Sequence, residues 1–219
     1  FRDLYRLSPV GVVAVAMSGF MSSIVYSLGP VYGRLSGMDT GQIASFMAAN
    51  ILAGVATQYP IGALADRMER RAVIAGVCAF TAAFCASIVV WADMPPALVL
   101  VMSALASGLV LTIYSLGLSH VNDRLDPSEM VAASSALLLI NGAAAVIGPI
   151  LGGAVLGRFE SRAYFVTLGC LAAALTVFCL WRTSRRAGVP RELRHPFLNA
   201  QPETSAVVVE PPSTASKVD

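Results

Sequence analysis

The stretch MPPALVLVMSALASGLVLTIYSLGLSHVN, residues 94–122, contains no Asp, Glu, Lys or Arg. A helix needs about 20 predominantly apolar residues to cross roughly 30 Å of hydrocarbon, and this stretch is long enough. It lacks the alternation of apolar and polar residues that is typical of membrane β-barrel strands. Because a helix satisfies its backbone hydrogen bonds internally, as lipid requires, the stretch predicts a membrane-spanning helix.

The same pattern recurs along the chain. Charged residues make up only 13% of the sequence, against about 25% in ordinary soluble domains, and they fall in clusters. The sequence therefore predicts an all-α membrane protein, a bundle of six transmembrane helices. Because the connections are short, we expect consecutive helices to be antiparallel neighbours. The predicted spans are about 9–33, 40–65, 72–92, 96–122, 130–157 and 163–181.

The arrangement of basic residues predicts the orientation. If the N-terminus is cytoplasmic, all of the 15 Lys and Arg residues except Arg34, Arg158 and Arg162 fall on the cytoplasmic side. This asymmetry is the one that the positive-inside rule describes, so we expect both ends of the chain in the cytoplasm. A multi-pass location in the plasma membrane, such as a bacterial inner membrane, follows. The net charge of +2 says little about partners, and we expect no nucleic-acid partner.

The residues after the sixth predicted span differ in composition. Several prolines and many polar residues lie in 187–219. Such a segment cannot bury enough apolar surface to order its backbone, so we expect a disordered cytoplasmic tail.

Polar and small residues distinguish four spans from the other two. The first, second, fourth and fifth spans each carry a polar face, whereas the third and sixth are nearly apolar and are predicted to be outer supports. Polar side chains in lipid need partners, so these faces should contact helices or a wet cavity. Helix packing through small residues is the alternative for each position. The candidate residues of a solute cavity are Ser22, Tyr26, Asn50, Tyr114 and Asn141.

The connection between the second and third spans reads GALADRMERR, residues 62–71. Glycine allows close packing at the helix end, the aspartate marks that end, and the arginines hold the loop at the membrane surface. An ordinary polar loop at the membrane surface would have all of these properties, and this is the alternative interpretation. The residues that carry a more specific pattern are Gly62, Leu64, Asp66, Arg67, Arg70 and Arg71.

These residues resemble the signature loop of the major facilitator superfamily, G-x-L-a-D-r-x-G-r-[RK]. The resemblance implies that Asp66 lies against a helix N-terminus of a second half, where a carboxylate complements the helix dipole. It also implies that the arginines join a cytoplasmic charge cluster that latches the outward-facing state, with Asp123 as the partner of Arg70. This chain has Glu69 where the family usually has glycine, which tolerates positive φ far better.

A second resemblance lies in the fifth span. The segment GPILGG, residues 148–153, is similar to the G-P-x-x-G-G element of many facilitators. Proline removes a backbone donor and the glycines allow bending or close contact. Gly148, Pro149 and Gly152 are therefore candidates for a gating hinge, and a kinked packing helix is the alternative.

The resemblance covers residues 1 to about 186 and implies six of the usual twelve spans. We therefore expect the C-terminal half of a major facilitator fold, with the lipid bilayer and a missing N-terminal six-helix half as partners. The implied function is secondary active transport of a small solute by alternating access, such as a drug or a sugar-like organic molecule. A sensor or scaffold that keeps a transporter-like fold is the alternative.

Little in the sequence points to other chemistry. No span contains an internal Asp, Glu, Lys or Arg, so no buried carboxylate for proton coupling is evident. We predict no enzymatic activity because no nucleophile, base and orienting group form a recognisable set. We likewise predict no cofactor and no metal, since the four cysteines lack the spacing of zinc ligands.

Overall fold

The computed structural model describes residues 2–91, 93–126, 128–158 and 161–183. The predicted tail, 187–219, lies outside these residues. A short helix precedes six long ones in the described part of the chain. Their bounds are α1 Arg2–Leu7, α2 Pro9–Leu35, α3 Thr40–Arg67, α4 Arg70–Val90, α5 Pro96–Asn122, α6 Met130–Leu156 and α7 Ala163–Thr183.

The prediction of six long helices is confirmed, with each predicted span matching one helix to within two residues at either end. Five of these helices, α2 and α4 to α7, are long and apolar enough to cross a membrane. Helix α3 is equally long but more polar, because Gln42, Asn50, Thr57 and Gln58 lie along it. That α3 also spans the membrane stays a prediction.

Local sequence explains where several helices begin. Pro9 and Pro96 occupy the first turns of α2 and α5, where a missing N–H costs nothing. Helix α3 begins at a capping box: the Asp39 carboxylate accepts from the Gln42 N–H, and the Gln42 side chain accepts from the Asp39 N–H, both at 2.9 Å. These signals fix the helix starts independently of the bundle.

The expectation that consecutive helices are close neighbours holds for α4 and α5 and is wrong for the other consecutive pairs. The closest pairs are α2 with α6, α3 with α5 and α4 with α7, and α5 also packs on α2 and α4. Short loops make consecutive helices run in opposite directions, so α2 and α6 are parallel to each other, as are α3 and α5. Contact is decided by which helix faces fit together, and not by order along the chain.

Glycines allow the closest of these approaches. A Cβ atom on Gly11 of α2 would lie 3.0 Å from the carbonyl oxygen of Gly117 on α5. One on Gly108 of α5 would lie 2.8 Å from the backbone of Ala53 on α3. Since real Cβ atoms have almost no contacts this short, alanine at either position would push the helices apart.

The predicted hinge segment lies against α2. Positions Gly148 and Gly152 are buried, and a Cβ atom on Gly152 would lie 2.7 Å from the Leu28 side chain. Helix α6 continues through Pro149. This placement agrees with the packing alternative for the two glycines, and hinge motion stays a prediction.

Helices α4 and α7, predicted to be outer supports, pack on each other and contribute to the main apolar core. Their buried thiols, Cys78, Cys85 and Cys179, belong to that core. A second, smaller apolar cluster forms between α2, α5 and α6, with members Val12, Val15, Tyr114, Leu118, Val121 and Leu137.

Candidate functional site at the signature loop and the polar helix faces

The signature loop forms the corner between α3 and α4, and only Met68 and Glu69 separate these helices. Glu69 has φ −67° and ψ 122°, which is ordinary extended backbone. The left-handed conformation that would favour glycine is therefore not needed here. Among the described residues, the one positive φ belongs to Gly37, in a different loop. The departure from the family pattern at Glu69 leaves the turn unstrained.

Arg70 extends from the start of α4 to the end of α5. Its Nη1 donates to the Ser119 carbonyl oxygen at 2.6 Å and to Asp123 Oδ1 at 2.9 Å. Both side chains of the ion pair are nearly inaccessible, at 1% and 2% exposure. Because both charges have lost water, each is compensated by the other, and the Ser119 carbonyl oxygen further stabilises the guanidinium. The structure thus brings together the two residues that the resemblance pairs.

Asp66 lies beside this ion pair but at the surface. Its Oδ1 is 3.8 Å from Arg70 Nη2, and its side chain is 48% exposed. Arg67 is exposed as well. The loop therefore has a buried part, which ties α4 to α5, and an exposed part, which faces away from the bundle.

Glu69 forms a second ion pair within the loop, with its Oε1 3.4 Å from Arg71 Nε. The Arg71 side chain is 3% exposed and the Glu69 side chain 32%. The residue that departs from the family pattern thus contributes a negative charge next to a buried arginine.

A further contact at this end of the bundle could not be anticipated from the sequence. Arg124 Nη1 donates to the Leu7 carbonyl oxygen at 2.8 Å, which fastens the end of α1 to the loop after α5. Leu4 of α1 packs on the second apolar cluster. Neither residue belongs to a motif. We call this end of the bundle the signature-loop end and the other the opposite end.

Asn141, a predicted cavity residue, joins two helices. Its Nδ2 donates to the Val15 carbonyl oxygen at 3.0 Å and to Ser18 Oγ at 2.9 Å, both on α2. Its side chain is buried, and Gly19 packs against its backbone. The geometry is that of a packing residue in this conformation.

Two other candidates are also buried within the bundle. Asn50 of α3 is inaccessible, and its Oδ1 accepts from Ser103 Oγ of α5 at 3.3 Å. Tyr114 of α5 is 6% exposed and belongs to the second apolar cluster. Asn50 joins α3 to α5, Asn141 joins α6 to α2, and Tyr114 packs in the cluster between α2, α5 and α6.

Ser22 and Tyr26 differ from these three. They lie one turn apart on α2 and are both half-buried. The Ser22 hydroxyl donates to the Gly19 carbonyl oxygen of its own helix at 3.4 Å. Of the five predicted cavity residues, Ser22 and Tyr26 are therefore the two that are accessible from outside the bundle.

Comparison with known proteins identifies the fold and the family. The model of the Major Facilitator Superfamily matches residues 11–214. An uncharacterized MFS-type transporter of Enterobacter sp. (strain 638) is 26% identical over 84% of this chain and 46% of its own length. The MFS-type transporter YcaD of Shigella flexneri is 26% identical over 87% of this chain and 48% of its own length. The chain thus spans about half the length of these relatives.

A solved structure supports the same fold. The POT family transporter PepTSo superimposes with a TM-score of 0.63 at 18% identity, covering 87% of this chain and 40% of that protein. The helices match a multi-pass membrane protein, and the family model covers nearly all of the sequence. The chain belongs to the major facilitator superfamily.

Proposed function

We propose that this chain forms one half of a secondary active transporter that moves a small organic solute across a bacterial inner membrane by alternating access. The observation that carries the proposal is the buried Arg70–Asp123 ion pair beside the half-exposed Asp66. Relatives over the same residues bear the name of MFS-type transporters. The solute site would lie between this half and a second six-helix half.

The exposed flanks of the bundle support a second half as partner. Helices α3 and α6 each pack mainly on one other helix, which leaves wide apolar faces. We propose that part of these faces contacts lipid and that the rest contacts the second half.

A cysteine at position 146, introduced by Val146→Cys, should cross-link to the second half, and exclusive labelling by lipid-soluble maleimide would contradict this placement. The exposed apolar residues include Ile51, Leu52, Val55, Tyr59, Leu139, Val146, Ile147 and Ile150.

The solute is proposed to be contacted first by Ser22 and Tyr26, through hydrogen bonds and an aromatic face. Away from the helix ends this half carries no charged side chain, which favours a neutral solute or one whose charge is met by the other half. The buried Asn50, Tyr114 and Asn141 would contribute only in a conformation that separates their helices.

The signature-loop end is proposed to face the cytoplasm. The exposed Asp66 carboxylate would meet a helix N-terminus of the second half, where the helix dipole stabilises a negative charge. The buried ion pair would keep the ends of α4 and α5 rigid while that contact forms and breaks.

Solute flux in proteoliposomes that contain both halves of the transporter tests this function. Asp66→Asn should slow flux strongly while leaving membrane insertion and folding intact, because the Asp66 side chain is half exposed and its contact with Arg70 is long, at 3.8 Å. Asp126→Asn is the matched control, as Asp126 is an exposed carboxylate in the neighbouring loop at the same end. Equal flux from both variants would contradict the latch. Absence of flux for every tested solute would favour a sensor or scaffold.

A second comparison tests the solute contacts. Tyr26→Leu should weaken solute affinity more than Thr81→Leu, since Thr81 is buried in α4 and donates to the Val77 carbonyl oxygen of its own helix. Equal affinities in the two variants would remove Tyr26 from the proposed site.

A further inference from the structure

Six buried side chains at the opposite end of the bundle form a closed ring across four helices. They share near-complete burial, with the largest exposure being 7%. None of them is charged. We call this set the opposite-end ring, and its members are Tyr32 of α2, Phe46 and Asn50 of α3, Ser103 and Ser107 of α5, and Tyr164 of α7.

The polar part of the ring runs from α3 through α5 to α7. Ser103 Oγ donates to Asn50 Oδ1 at 3.3 Å. Ser107 lies one helical turn after Ser103, on the same face of α5, and its hydroxyl faces that of Tyr164. These contacts link α3, α5 and α7.

The aromatic part closes the ring on the other side. The Tyr164 ring stacks on Tyr32 with centroids 5.3 Å apart, and Tyr32 contacts Phe46 at 5.5 Å. Phe46 lies one turn before Asn50 on α3, so the chain of contacts returns to its start. Phe165 adds an edge contact to Tyr32 at 4.9 Å. The aromatic rings shield the polar atoms from the opposite end.

Three polar atoms inside the ring lack a hydrogen bond of good geometry among the described residues. They are Asn50 Nδ2, Ser107 Oγ and Tyr164 Oη. The two hydroxyls can share at most one hydrogen bond, which still leaves both N–H groups of Asn50 and one hydroxyl hydrogen without an acceptor. A buried polar group in this condition is costly, and buried groups are normally satisfied by protein or by ordered water.

We propose that the opposite-end ring binds a water molecule that accepts from Asn50 Nδ2 and bridges it to the Ser107 and Tyr164 hydroxyls. Water is the ligand that fits, because the ring carries no charge and its unsatisfied groups are mainly donors that need an acceptor. The ring also provides three polar partners, which is typical of the sites of buried waters. The site lies within one half of the fold and shares only Asn50 with the proposed solute cavity. It makes Asn50 a ligand of an internal water.

Radiolytic hydroxyl labelling of the full chain in nanodiscs tests the site directly, because radicals form from bound water and modify the side chains beside it. We expect Tyr164 to be labelled although it is only 1% exposed, and Phe165, equally buried, to be labelled far less. An unlabelled Tyr164 would overturn the proposal.

Thermal unfolding gives an independent sign. If water bridges the three atoms, Tyr164→Phe removes one of its partners and should lower the melting temperature by about 2–4 °C. If the site is dry, Tyr164→Phe in a Ser107→Ala background removes a hydroxyl that has no partner and should leave the melting temperature unchanged or raise it, which would contradict the proposal. Tyr59→Phe, at a tyrosine 85% exposed, controls for hydroxyl loss. Ser107→Ala should act in the same direction as Tyr164→Phe.

Discussion

Different kinds of interaction join the helices at the two ends of the bundle. At the signature-loop end, the desolvated charges of Arg70 and Asp123 join α4 to α5 over 2.9 Å. At the opposite end, aromatic rings and neutral polar groups join α2, α3, α5 and α7. Removing one member of a charged pair leaves the other uncompensated, whereas a neutral cluster loses contacts one at a time. The first end should therefore respond abruptly to substitution and the second gradually.

The largest expected effect is at Arg70. Arg70→Met removes the charged partner that lies 2.9 Å from the buried Asp123 carboxylate and should lower the free energy of unfolding by about 3–5 kcal/mol. Denaturation of the purified chain in mixed micelles measures this loss. Arg67→Met, at an exposed arginine three residues earlier, should change stability little. Similar losses in the two variants would show that the Arg70 ion pair is not a buried charged contact.

At the opposite end, substitution of Tyr32 should lower the free energy of unfolding somewhat less. Tyr32→Leu removes aromatic contacts with Phe46, Tyr164 and Phe165. Three such pairs at about 0.5–1.5 kcal/mol each place the loss at roughly 1.5–4.5 kcal/mol. The same denaturation assay applies, with Phe80→Leu as control because Phe80 is exposed. The contrast between the ends would fail if Tyr32→Leu abolished folding while Arg70→Met did not.

Sequence reasoning succeeded where the signal was local. Uncharged length predicted the helices. The pairing of Arg70 with Asp123 was predicted from the family resemblance of the loop together with the position of Asp123 at the end of the fourth span. The opposite-end ring could not be predicted, because Tyr32, Phe46 and Tyr164 are far apart in sequence and meet only through tertiary packing. The parallel pairing of α3 with α5 was missed for the same reason: it depends on Gly108 fitting against Ala53, and no single helix encodes that fit.

A smaller effect is expected midway between the ends. Asn141→Leu removes two hydrogen bonds to α2, and such bonds contribute about 0.6 kcal/mol each in membrane proteins. We therefore expect a loss of about 1 kcal/mol, with Leu139→Asn as a reverse control at an exposed apolar position. A loss as large as that of Arg70→Met would mean that cohesion is not concentrated at the two ends.

The smallest effect is expected at Glu69. Glu69→Gly restores the residue usual in the family and removes the 3.4 Å pair with Arg71, which is partly exposed and should contribute less than about 1 kcal/mol. The difference between Glu69→Gly and the unsubstituted chain should shrink in high salt, as screening predicts. Glu69→Gln, which keeps the side-chain length, separates the charge from the backbone effect. An equal difference at low and high salt would argue against the ion pair.

The pairing of helices that are distant in sequence has a consequence for biosynthesis. Helix α2 leaves the ribosome long before α6, and α4 long before α7, yet these are the pairs that pack most closely. Each early helix must therefore stay in the bilayer with its small-residue face exposed to lipid until the later helix has been synthesised and inserted. The ion pair of Arg70 likewise cannot form until Asp123, 53 residues later, has been synthesised. A nascent chain arrested after α4 should thus depend on insertion chaperones, and that dependence should end once α7 has emerged.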